Sequence, residues 1–179
     1  MLSMYSCDNE ELGCIDSTAC NYDSSATDDD GSCDYSCIGC TDSTACNYDS
    51  SATNDDNSCL YDNPIDIIYI EDTIEGNVAD ELVSNIHIQN NSCDEVTLLV
   101  RKIFPPSSAS AYFCFNNICF PSSEIVSPNP LTLSSGEIDD YFKGYLIADQ
   151  PGVYEVTYRF YLENDPIQNQ EVTITYNVN

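Results

Sequence analysis

The sequence predicts a mainly β protein, in which two small, disulfide-rich, irregular repeats precede an antiparallel β-sandwich. The first 63 residues contain a 26-residue repeat with Cys and Asp at fixed positions. The remaining residues alternate apolar and polar side chains, and no segment shows the 3.6-residue apolar period of an amphipathic helix. We therefore divide the chain into an N-terminal segment (residues 1–12), two repeats (13–63) and a sandwich domain (64–179), with a boundary near Asn63-Pro64.

The two repeats are near-identical copies of one small unit. GCIDSTACNYDSSATDDDGSCDY at residues 13–35 returns as GCTDSTACNYDSSATNDDNSCLY at residues 39–61. Identity over this length indicates duplication. Neither copy has enough large apolar residues for a core, so we expect crosslinks, bound ions or both to order it.

The sandwich domain is predicted from strand-like alternation. Residues 153–162 and 172–178 are two half-buried strands, and residues 163–168, with Asn, Asp and Pro, form the hairpin loop between them. Shorter apolar segments between turns rich in Pro, Ser and Asn predict further strands at residues 65–70, 82–89, 96–104, 111–115, 131–133 and 141–148. Many short strands in one domain are typical of an antiparallel sandwich.

The cysteines predict a disulfide framework in an oxidising compartment outside the cytoplasm. Eleven cysteines are present, eight of them within the first 59 residues. Cys114 and Cys119 flank a predicted hairpin tip and are expected to pair, which leaves one unpaired cysteine each in the second repeat and the sandwich. A bridge from the second repeat to Cys93 is therefore predicted, and the other pairings stay open. The ten disulfide candidates are Cys14, Cys20, Cys33, Cys37, Cys40, Cys46, Cys59, Cys93, Cys114 and Cys119.

A thiolate zinc site is the alternative for these cysteines. Structural zinc sites usually contain CxxC pairs, and Cys37-Ile38-Gly39-Cys40 is the one such pair in the sequence.

The charge balance favours divalent cations as partners. With 31 acidic and 4 basic residues the net charge is −27, which excludes nucleic-acid binding by phosphate neutralisation and adsorption to anionic membranes. Calcium prefers oxygen ligands on a flexible loop, and we predict structural calcium in the repeats. A solvated acidic loop held only by disulfides is the alternative. The candidate ligands are Asp16, Asn21, Asp23, Asp28 and Asp30 in the first copy, and Asp42, Asn47, Asp49, Asn54 and Asp56 in the second.

Two family resemblances extend these predictions. The segment Gln150-Pro151-Gly152-Val153-Tyr154 resembles the tyrosine corner of immunoglobulin-like domains, which implies an immunoglobulin-like sandwich. The ACNYD…ATxDDGSC repeats resemble Cys/Asp-rich repeats in surface and secreted proteins of aquatic Gram-negative bacteria, and the YFCxxxxCxP stretch from Tyr112 resembles a domain of similar proteins. These resemblances imply an extracellular or outer-surface location, calcium-type spacer repeats and no catalytic activity.

Modification sites are predicted from short motifs. Leu2-Ser3-Met4-Tyr5-Ser6-Cys7 resembles the end of a bacterial lipoprotein signal, which predicts a lipid anchor on Cys7; the alternative is a plain eleventh thiol. Asp-Ser/Thr motifs resembling those of bacterial O-glycosylation, and one Asn-x-Ser motif, predict glycans at Ser17, Ser43, Thr73 and Asn90. No apolar run reaches the roughly 18 residues of a transmembrane helix.

The predicted function is non-enzymatic and structural. His87, the single histidine, lies between Ile86 and Ile88 and so on the polar face of its strand, and no nucleophile motif accompanies it. We predict a cell-surface or fibre-forming subunit that assembles head to tail by donating a strand, either residues 2–5 or the terminal strand 172–178.

A binding module for glycans or proteins is the alternative function. Its candidate contact patch is aromatic, and the competing interpretation of that patch is ordinary core packing. An acid-type hydrolase, using paired acids such as Asp139 and Asp140, is the least favoured function. The patch residues are Tyr112, Phe113, Phe115 and Phe120.

Overall fold

The computed structural model describes residues 10–105 and 108–179, and the chain divides into two compact units between Cys59 and Leu60. All regular elements in the described residues are β-strands, so no helix capable of crossing a bilayer occurs among them. The predicted fold class, mainly β with an antiparallel sandwich, is confirmed.

The first unit consists of two copies of the same small structure. Strand β1 (Leu12–Gly13) pairs in parallel with β2 (Asp28–Asp29), and β3 (Ile38–Gly39) pairs in parallel with β4 (Asn54–Asp55). Each two-residue pair lies 26 residues from its equivalent, so the sequence repeat is also a structural repeat. In residues 10–59 the buried hydrophobic side chains are Cys14, Ala19, Cys40 and Ala45.

Disulfides replace a core in these repeats. Cys14–Cys33 closes the first copy and Cys40–Cys59 closes the second at equivalent positions, while Cys20–Cys37 joins the first copy to the segment that leads into the second. Because Cys37 and Cys40 are both oxidised, their CxxC pair does not supply zinc thiolates. Cys46 and Cys93 are also disulfide-bonded, and the bridge from the second repeat to Cys93 stays a prediction.

The second unit is a sandwich of two sheets. The first sheet has the order β10-β9-β13-β7-β12, and β5 also pairs with β7. Its strands are β5 (Asn63–Ile70), β7 (Leu82–Asn91), β9 (Ala109–Phe115), β10 (Ile118–Phe120), β12 (Ile138–Asp139) and β13 (Lys143–Ala148). The second sheet has the order β11-β8-β14-β15-β6, antiparallel except where β6 runs parallel to β15. Its strands are β6 (Thr73–Gly76), β8 (Val96–Ile103), β11 (Leu131–Leu133), β14 (Gly152–Leu162) and β15 (Asn169–Val178).

The core lies between the sheets and follows the alternation seen in the sequence. Val156, Tyr158 and Phe160 on β14 are fully buried, as expected for the inward positions of a half-buried strand. Phe142 is central, because its ring lies 5.0 Å from the rings of both Tyr158 and Phe160 in edge-to-face contacts.

Two predicted local features are confirmed. The Tyr154 hydroxyl donates a hydrogen bond of 2.9 Å to the Gln150 carbonyl, which forms the tyrosine corner. Asn116 and Asn117 form a two-residue hairpin tip with φ of 50° and 59°, and Cys114 pairs with Cys119 both in strand register and by a disulfide. Positive φ at both tip residues is the geometry that matches the twist of a β-hairpin.

The structure also departs from the predictions. Asn63 pairs with Asn91 in β5, and the Tyr61 amide donates to the Asn91 carbonyl, so the boundary expected at Asn63-Pro64 falls inside the first sandwich strand. Strand donation by residues 172–178 is wrong, because β15 is already paired with β14 on one side and β6 on the other. The other predicted donor, residues 2–5, lies outside the described residues.

Candidate functional sites

The repeat aspartates form local turns with the residue two positions later. Asp23 shows the pattern: its Oδ1 accepts hydrogen bonds from the Ser25 amide at 2.8 Å and the Ser25 hydroxyl at 2.6 Å. A carboxylate that accepts from the backbone two residues ahead mimics a turn of the main chain. The amide bond recurs in every Asp-x-Ser/Thr sequence of the repeats, at Asp16, Asp23, Asp30, Asp34, Asp42, Asp49 and Asp56.

Asparagine side chains connect the two ends of the first copy and recur in the second. The Asn21 amide donates to the Ser32 carbonyl at 2.7 Å, and its carbonyl oxygen accepts from the Asp34 amide at 2.8 Å. Asn47 donates to the Ser58 carbonyl at the same distance, one period later. These two predicted calcium ligands therefore act as backbone clamps.

The turns favour the ionised carboxylates. Hydrogen bonds from the Ser25 side chain and amide lower the pKa of Asp23, and bonds from Thr18 and then Tyr35 lower the pKa of Asp16. Bonds from the following serine likewise lower the pKa values of Asp30, Asp34, Asp49 and Asp56. Donors aimed at a charged oxygen stabilise the charge.

Among the predicted metal ligands, the structure therefore shows turn-forming roles. Asp28 and Asn54 make other contacts: Asp28 accepts from the Thr27 hydroxyl at 3.2 Å, and the Asn54 amide lies 3.6 Å from the Cys37 sulfur. No group of three or more His, Cys, Asp or Glu side chains positioned to hold a metal occurs in residues 10–105 and 108–179. Sequence reasoning missed the turns, although the Asp-x-Ser/Thr spacing is visible in the sequence.

The predicted glycosylation sites divide into exposed and buried ones. Ser17, Ser43 and Thr73 are exposed and stay predictions. The prediction at Asn90 is wrong for the folded domain, because this residue is 0% exposed and its side-chain nitrogen donates to three carbonyl oxygens, those of Leu133, Ser134 and Asp94. Cys7, the predicted lipidation site, lies outside the described residues.

The aromatic patch expected around the Cys114–Cys119 hairpin is mostly core. Phe113 and Phe115 are fully buried and Phe120 is 5% exposed, which confirms the core interpretation for these three rings. Tyr112 instead lies on the outer face of the first sheet, stacked on Tyr145 with ring centres 4.5 Å apart. Burial, together with a hydrogen bond to Glu81, raises the pKa of Tyr112 to about 12.

His87 lies on the same outer face, as predicted. It is half-buried between the fully buried Ile86 and Ile88, and its ring centre is 4.5 Å from that of Tyr69 on β5. Asp139 is largely buried, and burial raises the pKa of its carboxyl, although the Tyr141 and Phe142 amides oppose this effect.

The four basic side chains occupy three different environments. Lys102 on β8 is 5% exposed and donates to the carbonyl oxygens of Ala111 at 2.6 Å and Ser122 at 2.8 Å, and burial lowers its pKa. Lys143 lies on the outer face of the first sheet. Arg101 and Arg159 are directly opposite each other on β8 and β14.

Arg101 and Arg159 line an open cleft of about 250 Å³ on the outer face of the second sheet, together with Tyr161 and Pro166. Arg159 forms an ion pair with Glu171 on β15, through both Nε and Nη2. Arg101 is exposed and has no ion pair within the described residues.

No protein-family model matches the chain, and no curated protein matches it. Among solved structures, the N-terminal domain of PorA is similar, with 15% identity and a TM-score of 0.46 over 59% of this chain and 84% of that one. A conjugative transposon lipoprotein from Bacteroides eggerthii is similar at 9% identity and a TM-score of 0.41, over 63% of this chain and 94% of that one.

An enzyme also appears among the similar structures. The secreted serine protease VesC from Vibrio cholerae has 9% identity and a TM-score of 0.44, over 65% of this chain and only 23% of the protease. At these identities the similarities concern β-sandwich architecture, and no function is transferred from them.

Proposed function

We propose that this chain is a non-enzymatic extracellular surface module, in which the repeats are a disulfide-held acidic spacer and the sandwich is the displayed domain. The observation behind this proposal is that the repeats are ordered with almost no hydrophobic core. A crosslinked segment keeps its shape without burying apolar surface, which suits an oxidising compartment outside the cytoplasm.

The acidity of the repeats supports the role of spacer. Residues 1–63 contain 14 acidic and no basic side chains. Like charges at this density keep a segment solvated and oppose collapse onto other acidic surfaces, within the screening length of about 8 Å at physiological salt. The Asp-x-Ser/Thr turns use these charges to fix the backbone, so one set of residues provides both solubility and shape.

Limited proteolysis of the full chain tests this proposal. In the oxidised protein we expect residues 10–59 to resist cleavage. After reduction these residues should be digested quickly while the sandwich, which keeps its core, persists as a fragment beginning near Leu60. Repeats that remain resistant after reduction would show that disulfides are not what orders them.

The surface location has a separate test on native cells. A membrane-impermeant amine reagent should label Lys143 of the intact protein on whole cells, and intact-mass measurement should show whether Cys7 carries lipid. Labelling only after cell lysis would contradict the surface assignment.

Structural calcium in the repeats remains part of the proposal. Each Asp-x-Ser/Thr turn engages mainly one carboxylate oxygen, as Oδ1 of Asp23 shows, and the second oxygen can face a cation. Calcium titration followed by amide NMR should shift residues 28–30 and 54–56 at millimolar metal or below. Unchanged spectra at 10-fold higher calcium than magnesium would leave the disulfides and turns as the full account of the repeats.

A further inference from the structure

The cleft between Arg101 and Arg159 is unusual because of where the chain places its few cations. Of four basic residues, two lie side by side in strand register, although like charges directly opposite each other destabilise a sheet. The chain has 31 acidic residues, yet only Glu171 is paired with this arginine pair. Arg101 is left with its guanidinium facing solvent.

The local charge of the cleft is opposite to that of the protein. Arg101 and Arg159 contribute two positive charges and Glu171 one negative charge, so the cleft is complementary to a single anionic group. Screening over about 8 Å at physiological salt isolates it from most of the remaining negative charge. A guanidinium presents parallel N–H donors that match the two oxygens of a carboxylate.

The strands around the cleft restrict the kind of ligand. Arg159 lies on β14, which is paired with β8 and β15, and Arg101 on β8 is bridged to Val126 on its other side. Because both strands are paired on both sides at this position, the cleft offers no free strand edge for an extended peptide, and recognition depends on side chains.

We propose that this cleft binds one acidic sugar residue, with its carboxylate on Arg101 and Arg159 and its ring against Tyr161. The volume of about 250 Å³ is below the ~300–1,000 Å³ of pockets for drug-sized ligands, so a single ring with one charged group fits. The aromatic ring of Tyr161 supplies an apolar surface for the C–H face of a pyranose, and its hydroxyl supplies a polar contact. This site is independent of the spacer role of the repeats.

The test is an NMR titration of the full chain in 0.15 M salt with methyl glucuronide and methyl glucoside. We expect the glucuronide to shift the amides around Arg101, Arg159 and Tyr161 and to bind at least 10-fold more tightly than the glucoside. Arg101→Gln should weaken glucuronide binding at least 10-fold. Lys143→Gln makes the same charge change on the opposite sheet and should alter binding less than twofold.

Two further arms distinguish a sugar site from a general anion site. Tyr161→Leu should weaken the glucuronide at least fivefold while leaving the weaker binding of acetate within twofold. Equal affinity for glucuronide and glucoside, or an unchanged affinity in Arg101→Gln, would overturn the proposal. Tighter binding of a tetraglutamate peptide than of the glucuronide would overturn the sugar assignment in favour of an acidic peptide.

Discussion

At the scale of single residues, aspartate in the repeats acts as a backbone-shaping side chain. The Oδ1 atom of Asp49 repeats, one period later, the two bonds that Asp23 makes to the serine two residues ahead. Such turns replace backbone hydrogen bonds that a helix or a long strand would otherwise supply. The abundance of Asp in this segment therefore has a conformational reason besides its charge.

These turns should make the repeats sensitive to acid. Because the folded pKa of each turn aspartate lies below its unfolded value of about 3.9, the stability it contributes is present above that value and is lost as the pH falls through the folded pKa. NMR titration of the carboxyl carbons should show midpoints for Asp23 and Asp49 below 3.9. Asp23→Asn keeps an oxygen acceptor and should reduce the loss of amide protection at Ser25 below pH 4, while Asp94→Asn in the sandwich should not.

The tyrosine corner is a second residue-scale feature. Tyr154→Phe removes the hydroxyl that donates to the Gln150 carbonyl, and we expect the sandwich to lose about 1 kcal/mol in urea unfolding. Tyr145→Phe is the matched control, because within the described residues the Tyr145 hydroxyl makes no hydrogen bond. A loss in Tyr154→Phe no larger than that in the control would contradict this role.

At the scale of elements, the hairpin tip depends on residues that tolerate positive φ. Asn117 has φ of 59°, where a β-branched side chain is strongly disfavoured. Asn117→Val should therefore destabilise the sandwich by about 1–2 kcal/mol, whereas Asn117→Gly should be neutral or slightly stabilising. Denaturant unfolding of both variants measures the difference, and equal stabilities would exclude the backbone as its cause.

The strands were predictable where alternation was long, and the sites were not. The segment 131–133 coincides with β11, and the strands at 82–89 and 172–178 fall within β7 and β15, because their buried faces impose a period of two. Strands β6, β10 and β12 have two to four residues, too few to establish a period. The pairing of Arg101 with Arg159 depends on the register between β8 and β14, which no local pattern records.

At the scale of the whole molecule, the two units have different sources of stability. Removing Cys14–Cys33 by a double substitution to alanine should open the first repeat at a cost of about 3 kcal/mol, because the bridge closes a loop between positions 19 residues apart. Hydrogen exchange should then increase in residues 14–33. The equivalent change at Cys114 and Cys119, within the packed sandwich, should leave exchange in the repeats unchanged; faster exchange there in both variants would contradict independent stabilisation.

The disulfide Cys20–Cys37 has a consequence for how such a chain grows. Cys37 occupies, one period on, the position held by Glu11 in the first copy, and the carbonyls of both residues accept from the amide of the equivalent threonine, Thr27 or Thr53. Each copy thus finishes its own crosslinking on the threshold of its successor. Tandem duplication of the gene segment can lengthen the array one 26-residue step at a time, without inventing any new packing surface.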